Sequence, residues 1–177
     1  DSTLKHLNQY TNGKALFKDI DYQLITDREA LAQFLAAGVA QGFICIDTET
    51  TGLDPKRHEL LSLGAIVMID GVITERIEIK IKPRNIDQAD AEALRINGYS
   101  PYRWKNAIEG EHAVTIIKHL FLSHLDGILV GHNVNFDIKF LRAFADSYYQ
   151  EFTFPVPYID TRDVCRVNLA PYGCASM

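Results

Sequence analysis

A short apolar run that ends on two acidic residues constrains this chain more than any other feature. Phe43-Ile44-Cys45-Ile46 has the character of a strand buried on both faces. It runs into Asp47-Thr48-Glu49-Thr50-Thr51-Gly52-Leu53, where the strand is expected to give way to a loop. Side chains alternate along a strand, so Asp47 and Glu49, two apart, point to one face. Two carboxylates beside a dry core repel each other and lose hydration, and a divalent cation removes both costs. The alternative is that the strand has already ended and both groups are simply solvated.

The rest of the chain reads as one α/β unit. Thr26-Asp27-Arg28-Glu29 is a capping box, followed by a helix face of Leu31, Phe34 and Leu35 and a stop at Gly38. Residues 60–70 and 72–82 are two β-rich arms, and Asp70-Gly71 between them signals a hairpin. In the second arm Ile73, Glu75, Ile77, Ile79 and Ile81 share one face until Pro83 ends the strand. A short helix is expected around 89–97. A longer one follows at 111–125, with Val114, Ile117, Phe121 and Leu125 at helical spacing. Residues 127–131 read as a buried strand. His132-Asn133-Val134-Asn135 then turns the chain into a helix carrying Phe136, Phe140, Leu141 and Phe144. A last short strand at Tyr158-Ile159 leads to a helix capped by Asp160 that runs through Leu169. The expected architecture is an α/β sandwich around a mixed sheet, with residues 1–20 as a loosely attached arm and 21–177 as a single domain.

Asp137 falls in the first turn of the helix after Val130-Gly131, where the helix dipole favours an anion. A structural role there is credible. The position also lies at the mouth of a strand expected to neighbour the first one. Three carboxylates from adjacent strand ends suit hard, oxygen-seeking Mg²⁺ or Mn²⁺ better than zinc.

These segments together carry a family resemblance. Asp47-Thr48-Glu49-Thr50-Thr51-Gly52-Leu53 resembles the first motif of the DEDD 3′→5′ exonucleases, in the form carried by epsilon-type proofreading subunits of bacterial replicative polymerases. Gly131-His132-Asn133-Val134-Asn135-Phe136-Asp137 resembles the second motif, and Tyr158-Ile159-Asp160-Thr161 the strand end that follows it. Residues 91–99 are similar to the family's intervening helix and turn. The likeness spans roughly 40–170, and the pairing of the two motifs is highly specific.

The resemblance implies a ribonuclease-H-like three-layer fold and two-metal hydrolysis at the 3′ end of single-stranded or frayed DNA, with RNA also open. It implies Asp47, Glu49 and Asp137 as metal ligands and catalytic carboxylates. Asp47 bridges two Mg²⁺ or Mn²⁺ ions, Glu49 holds the ion that carries the nucleophile, and Asp137 holds the other. Backbone amides around Thr50 and Thr51 grip the terminal nucleotide, and Gly52 belongs to the same loop. Leu53 wedges against the base, and His132, Asn133 and Phe136 shape the pocket. Leu53 and Phe136 also read as core residues, Phe136 more so by its spacing, and Asn133 as a helix cap. A DNA polymerase subunit is the implied partner.

One part of the family pattern is missing. The third motif, His-x₄-Asp or Tyr-x₃-Asp, supplies a general base and a fourth carboxylate. No Tyr here has Asp four positions on, and the only His with Asp five positions on is His132, whose Asp is Asp137 itself. Only residues 162–177 follow Thr161, so the expectation is a chain cut short of that helix. The alternatives are a shortened, catalytically weak product, or substitution by Asp160 or Asp163. A non-catalytic nucleic-acid- or polymerase-binding domain that keeps the fold is the rival reading.

Composition bounds the rest. An apolar share of 47% and a charged share of 23% in 177 residues are those of an ordinary globular domain. There is no apolar run of about 18 residues and no secretory layout at the N-terminus. Three widely spaced cysteines, Cys45, Cys165 and Cys174, argue for neither a disulfide framework nor a zinc site, and a cytoplasmic setting is the default. The net charge of −5 does not suit a protein that coats nucleic acid. Local cations at Lys56 and Arg57, at Lys80, Lys82 and Arg84, and at Lys139 and Arg142 could still form a basic rim, or be plain surface charge.

Overall fold

A computed structural model describes residues 42–155 and 158–169. The arm at 1–20, the capping-box helix and Cys174 lie outside the described residues.

The hairpin forms as its sequence requires. Asp70 and Gly71 take φ of 51° and 76°, two successive left-handed residues of the kind that match the twist of the flanking strands. They join β2 (Leu60–Ile69) to β3 (Val72–Lys80). β1 (Phe43–Thr50) pairs with β2 antiparallel and with β4 (Ile128–Gly131) parallel; β4 pairs with β5 (Tyr158–Asp160) parallel. Among the described residues the sheet order is β3-β2-β1-β4-β5, a mixed sheet of five strands. The helices are α1 (Ala91–Asn97), α2 (Gly110–Ser123), α3 (Val134–Asp146) and α4 (Thr161–Leu169).

Two details differ from the sequence pattern. β1 does not end before Asp47 but continues to Thr50, because β2 still pairs with it: Asp47 faces Gly64 and Glu49 faces Ser62. In β3 a bulge sets Ile73 opposite Met68 while Glu75 stays opposite Val67. One extra residue at Thr74 therefore moves Ile73 out of the row shared by Ile77 and Ile79, since the side-chain period of a strand is two.

The sheet is covered on both faces. On one, Ile44, Ile46, Leu63, Ala65 and Val67 pack against Val114, Ile117 and Phe121 of α2 and Ile138 and Leu141 of α3. On the other, Phe43, Ile128 and Ile159 pack with Cys45, Val130 and Val164 of α4. Leu125 lies beyond the end of α2 and is partly exposed. Among the described residues no helix is long and apolar enough to cross a membrane. Parallel strands β1, β4 and β5 end on one edge of the sheet. That edge gathers Asp47–Thr50, the turn His132-Asn133 and the pair Asp160-Thr161, as open α/β sheets gather their ligand sites.

Candidate active site

β1 carries its two carboxylates on one face and the threonine between them on the other. Asp47 is exposed, Glu49 half-buried and Thr48 buried. Burial pushes the Glu49 carboxyl above its ordinary value, and the negative charge of Asp47 pushes it further.

Asp137 reaches the same strand from α3. It is only 3% exposed, and its Oδ1 accepts a hydrogen bond from Thr48 Oγ1 at 2.7 Å. Its pKa is raised to about 6. Burial is the main cause and Asp47 adds to it, while the Thr48 hydroxyl works in the opposite direction. Asp47 thus acts electrostatically on both Glu49 and Asp137 from one strand end. Among the described residues, however, no three His, Cys, Asp or Glu side chains stand close enough together to hold a metal ion. Asp137 meets β1 at Thr48, on the α3 side, and Asp47 and Glu49 lie on the opposite face. The donors are carboxylate oxygens, and burial makes ionisation costly for Asp137 and Glu49, the chemistry a hard divalent cation relieves.

The loop after β1 is held from several sides. Thr50 Oγ1 donates to the Gly52 carbonyl at 2.7 Å, and Asn97 of α1 donates to the Thr50 carbonyl at 3.0 Å. Thr51 is fully engaged. Its N–H donates to the Glu59 carbonyl at 2.9 Å, its hydroxyl accepts from Glu59 N–H at 2.8 Å, and its carbonyl accepts from Asp90 N–H at 2.8 Å. The Thr51 amide is therefore taken and unable to grip a nucleotide. The Gly52 and Leu53 amides donate to nothing among the described residues. A Cβ at Gly52 would stand 2.5 Å from the His58 ring, so only glycine lets that ring close over the loop. Leu53 is 80% exposed, which removes the core reading of this residue.

The second-motif turn is fixed by a residue from β5. Asn133 is left-handed (φ 59°, ψ 42°) and stands at the N-cap position of α3, but its side chain makes no capping bond. Its N–H instead donates to Asp160 Oδ1 at 2.9 Å. Asp160 is buried, accepts from Arg162 N–H at 2.9 Å as cap of α4, and pairs with the Arg162 guanidinium at 3.0 Å. Burial alone would push its pKa up; the hydrogen bonds from Arg162 and Asn133 outweigh this and hold it below the ordinary carboxylate value. His132 is exposed, with Nδ1 3.0 Å from Thr161 Oγ1. Phe136 is half-buried, its ring 4.8 Å from that of Phe140. Asp163 pairs with Arg166 at 3.0 Å, and its Oδ2 is buried without a hydrogen-bond partner among the described residues.

Sequence reasoning missed Thr48, Asn97, His58 and the bond from Asp160 to the Asn133 turn. A threonine centred between the two acids was the one available signal, because its side chain had to face the core. The basic rim is largely neutralised: Lys80 pairs with Glu78, Lys82 with Glu109 and Arg84 with Glu59. Lys56, Arg57, Lys82 and Arg84 line a groove of about 690 Å³ between the loop after β1 and the end of α3, away from the carboxylates.

Comparison with known proteins gives a consistent account. A family profile described as Exonuclease matches residues 44–172. The chain is 32% identical over 165 residues to DNA polymerase III PolC-type of Thermotoga maritima, covering 89% of this chain and 12% of that one. It is 39% identical over 101 residues to DNA polymerase III subunit epsilon of Rickettsia conorii, covering 55% of this chain and 41% of that one. Among solved structures, apo exonuclease I superposes with a TM-score of 0.65 at 22% identity, over 76% of this chain and 32% of that one. E. coli exonuclease I in complex with a dT13 oligonucleotide gives 0.64 at 21%, over 75% and 30%. The chain thus spans less than half the length of these relatives. The structural likeness establishes the α/β, ribonuclease-H-like fold.

Proposed function

The chain belongs to the exonuclease family, and on that premise we propose that it removes nucleotides from the 3′ end of DNA at a divalent-metal site held by Asp47, Glu49 and Asp137. Residues 21–177 are the proposed exonuclease domain, following an arm at 1–20. The observation that carries the reading is the buried Asp137, held by Thr48 and raised to about 6 within the field of Asp47. Carboxylates placed so that ionisation is costly are the surroundings a cation relieves.

When bound, a pair of Mg²⁺ or Mn²⁺ ions supplies an activated water and stabilises the leaving 3′ oxygen. Asp47 and Glu49 would help hold the ion that activates the water, and Asp47 with Asp137 the ion that stabilises the leaving oxygen. Thr48 orients the Asp137 carboxylate. The Gly52 and Leu53 amides face the terminal nucleotide, with Thr50 and Thr51 holding their loop in place. Leu53 offers its exposed side chain to the base. His132, Asn133 and Phe136 border the same edge of the sheet.

A DNA polymerase is the proposed partner, in keeping with the PolC-type and epsilon names of the relatives. A second reading has its own support. Among the described residues Asp47, Glu49 and Asp137 are not grouped closely enough to hold a metal ion. A chain that binds 3′ ends but cuts slowly or not at all fits that observation.

Digestion of a 5′-labelled single-stranded DNA, beside the matching RNA, tests both readings. The expected result is shortening of the DNA from its 3′ end that requires Mn²⁺ or Mg²⁺ and is abolished in Asp47→Ala. Equal digestion by Asp47→Ala would overturn the catalytic assignment. No digestion by either chain, with Mn²⁺ binding retained, would favour the binding domain. Faster cutting of the RNA would reassign the substrate.

A further inference from the structure

The strand at the far edge of the sheet has a charge pattern that complements itself. Among the described residues β3 is the terminal strand, with β2 on one side only. At its end Ile108 N–H donates to the Lys80 carbonyl and Lys82 N–H donates to the Ile108 carbonyl, both at 2.9 Å. The backbone groups of Lys80 therefore point outward. Those of Glu78 and Arg76 do the same, since hydrogen-bonding direction alternates along a strand. Both side chains are exposed. Arg76 has no ion-pair partner among the described residues, and Glu78 has only a surface pair with Lys80 at 3.3 Å.

We propose that this edge is a two-fold interface with a second copy of the chain, its β3 strands antiparallel and centred on Ile77. A two-fold axis perpendicular to the sheet keeps like faces together. Centring it on Ile77 sets Arg76 of each copy opposite Glu78 of the other, so two ion pairs flank the axis and all four outward backbone groups at these positions find partners. Other registers fail. Centring on Arg76, Glu78 or Glu75 brings identical charges face to face, and centring on Ile79 needs the Lys80 carbonyl that Ile108 already occupies; in the Ile77 register the ladder is confined to residues 75–79, because Ile108 lies where Thr74 of the other copy would meet Lys80. Charged edge strands ordinarily ward off pairing. A row that complements itself in one register selects that register instead of excluding all of them.

The other face supplies apolar contact. Ile77 lines a groove of about 470 Å³ together with Ile116, His119 and Leu120 of α2, and Ile116 is 45% exposed. At the axis Ile77 meets Ile77 of the second copy, and the two grooves become continuous. Water would leave Ile116 only when that second copy is in place.

Sedimentation velocity on the 177-residue chain over a wide concentration series tests the interface. The expected result is a mass that rises with concentration towards twice the monomer's. Arg76→Glu alone and Glu78→Arg alone each remain monomeric, because like charges then face one another. Mixed in equal amounts, the two variants form a heterodimer, and the double exchange Arg76→Glu/Glu78→Arg restores the homodimer. Unchanged thermal melting of each variant separates lost association from lost fold. A wild-type chain monomeric at every concentration overturns the proposal. Association that survives either single exchange, or that the mixture fails to restore, overturns the register and with it the interface.

Discussion

Thr48 donates its hydroxyl hydrogen to Asp137 across the sheet–helix boundary at 2.7 Å, tying β1 to the first turn of α3. The bond favours the ionised carboxylate against the burial that opposes it. Thr48→Val keeps the shape and removes the donor. Asp137 is then expected to titrate above its present value of about 6. The fold should lose about 1–2 kcal/mol, the cost of leaving a buried acceptor unmet. Carboxyl-carbon NMR titration and urea unfolding measure the two effects, and a downward shift of Asp137 would contradict this account.

Asp137 also sets a pH dependence. Its folded-state pKa, about 6, lies above the ordinary value of 3.8, so the folded chain binds this proton more tightly than the unfolded chain. Its contribution is fully present below about pH 4 and is lost as pH rises through 6. The shift corresponds to about 3 kcal/mol at neutral pH in chelator-treated protein. Asp137→Asn should therefore be the more stable chain at pH 7 without metal, and should not gain the stabilisation expected from Mn²⁺ at the proposed site. Thermal melts with chelator and with Mn²⁺ check both halves.

Asp160 works in the opposite sense. Its carboxyl is held below the ordinary value, so the stability it brings is present above about pH 4 and lost as pH falls through its lowered folded pKa. Asp160→Ala leaves the Asn133 N–H and the Arg162 guanidinium without their acceptor. The expected cost is about 2–4 kcal/mol at pH 7. Faster amide exchange at Asn133 would accompany it, which a loss confined to the α4 cap would not produce.

Leu53→Ala separates binding from folding. With 80% of its surface exposed, the side chain contributes little to stability, and melting should move by less than about 1 °C. If Leu53 contacts the terminal base, KM for oligonucleotide digestion rises several-fold with kcat little changed. An unchanged KM would remove Leu53 from the proposed site.

Tyr149 ends α3 in a conformation better suited to glycine. Gln150 N–H donates to the Ala145 carbonyl and Tyr149 N–H to that of Asp146, the paired bonds of a Schellman stop, with Tyr149 at φ 54° and 97% exposed. Tyr149→Gly should stabilise the chain by about 1 kcal/mol, read as a raised unfolding midpoint in urea.

How much of this was legible depended on the range of the interaction involved. The Asp70-Gly71 turn, the helical spacing of Val114, Ile117 and Phe121, and the cap at Asp160 could be read directly, because each is decided within a few residues. The end of β1 could not. Asp47 and Glu49 look like a strand terminus by composition, yet they remain in the strand because Gly64 and Ser62 arrive to pair with them. The bulge at Thr74 was equally hidden, since nothing in Ile73-Thr74-Glu75 breaks the alternation until β2 imposes its register.

By itself the sequence determined the order of the described elements and the family, and it singled out the three carboxylates as candidates, all carried by residue types at short spacing. Tertiary structure alone decided the surroundings of those carboxylates. Asp47 and Glu49 lie on one face of β1, and Asp137 meets the strand through Thr48 on the other. Residue spacing can say which side chains share a strand face. The dehydration of Asp137 and the field of Asp47 upon it arise only when α3 packs against the sheet.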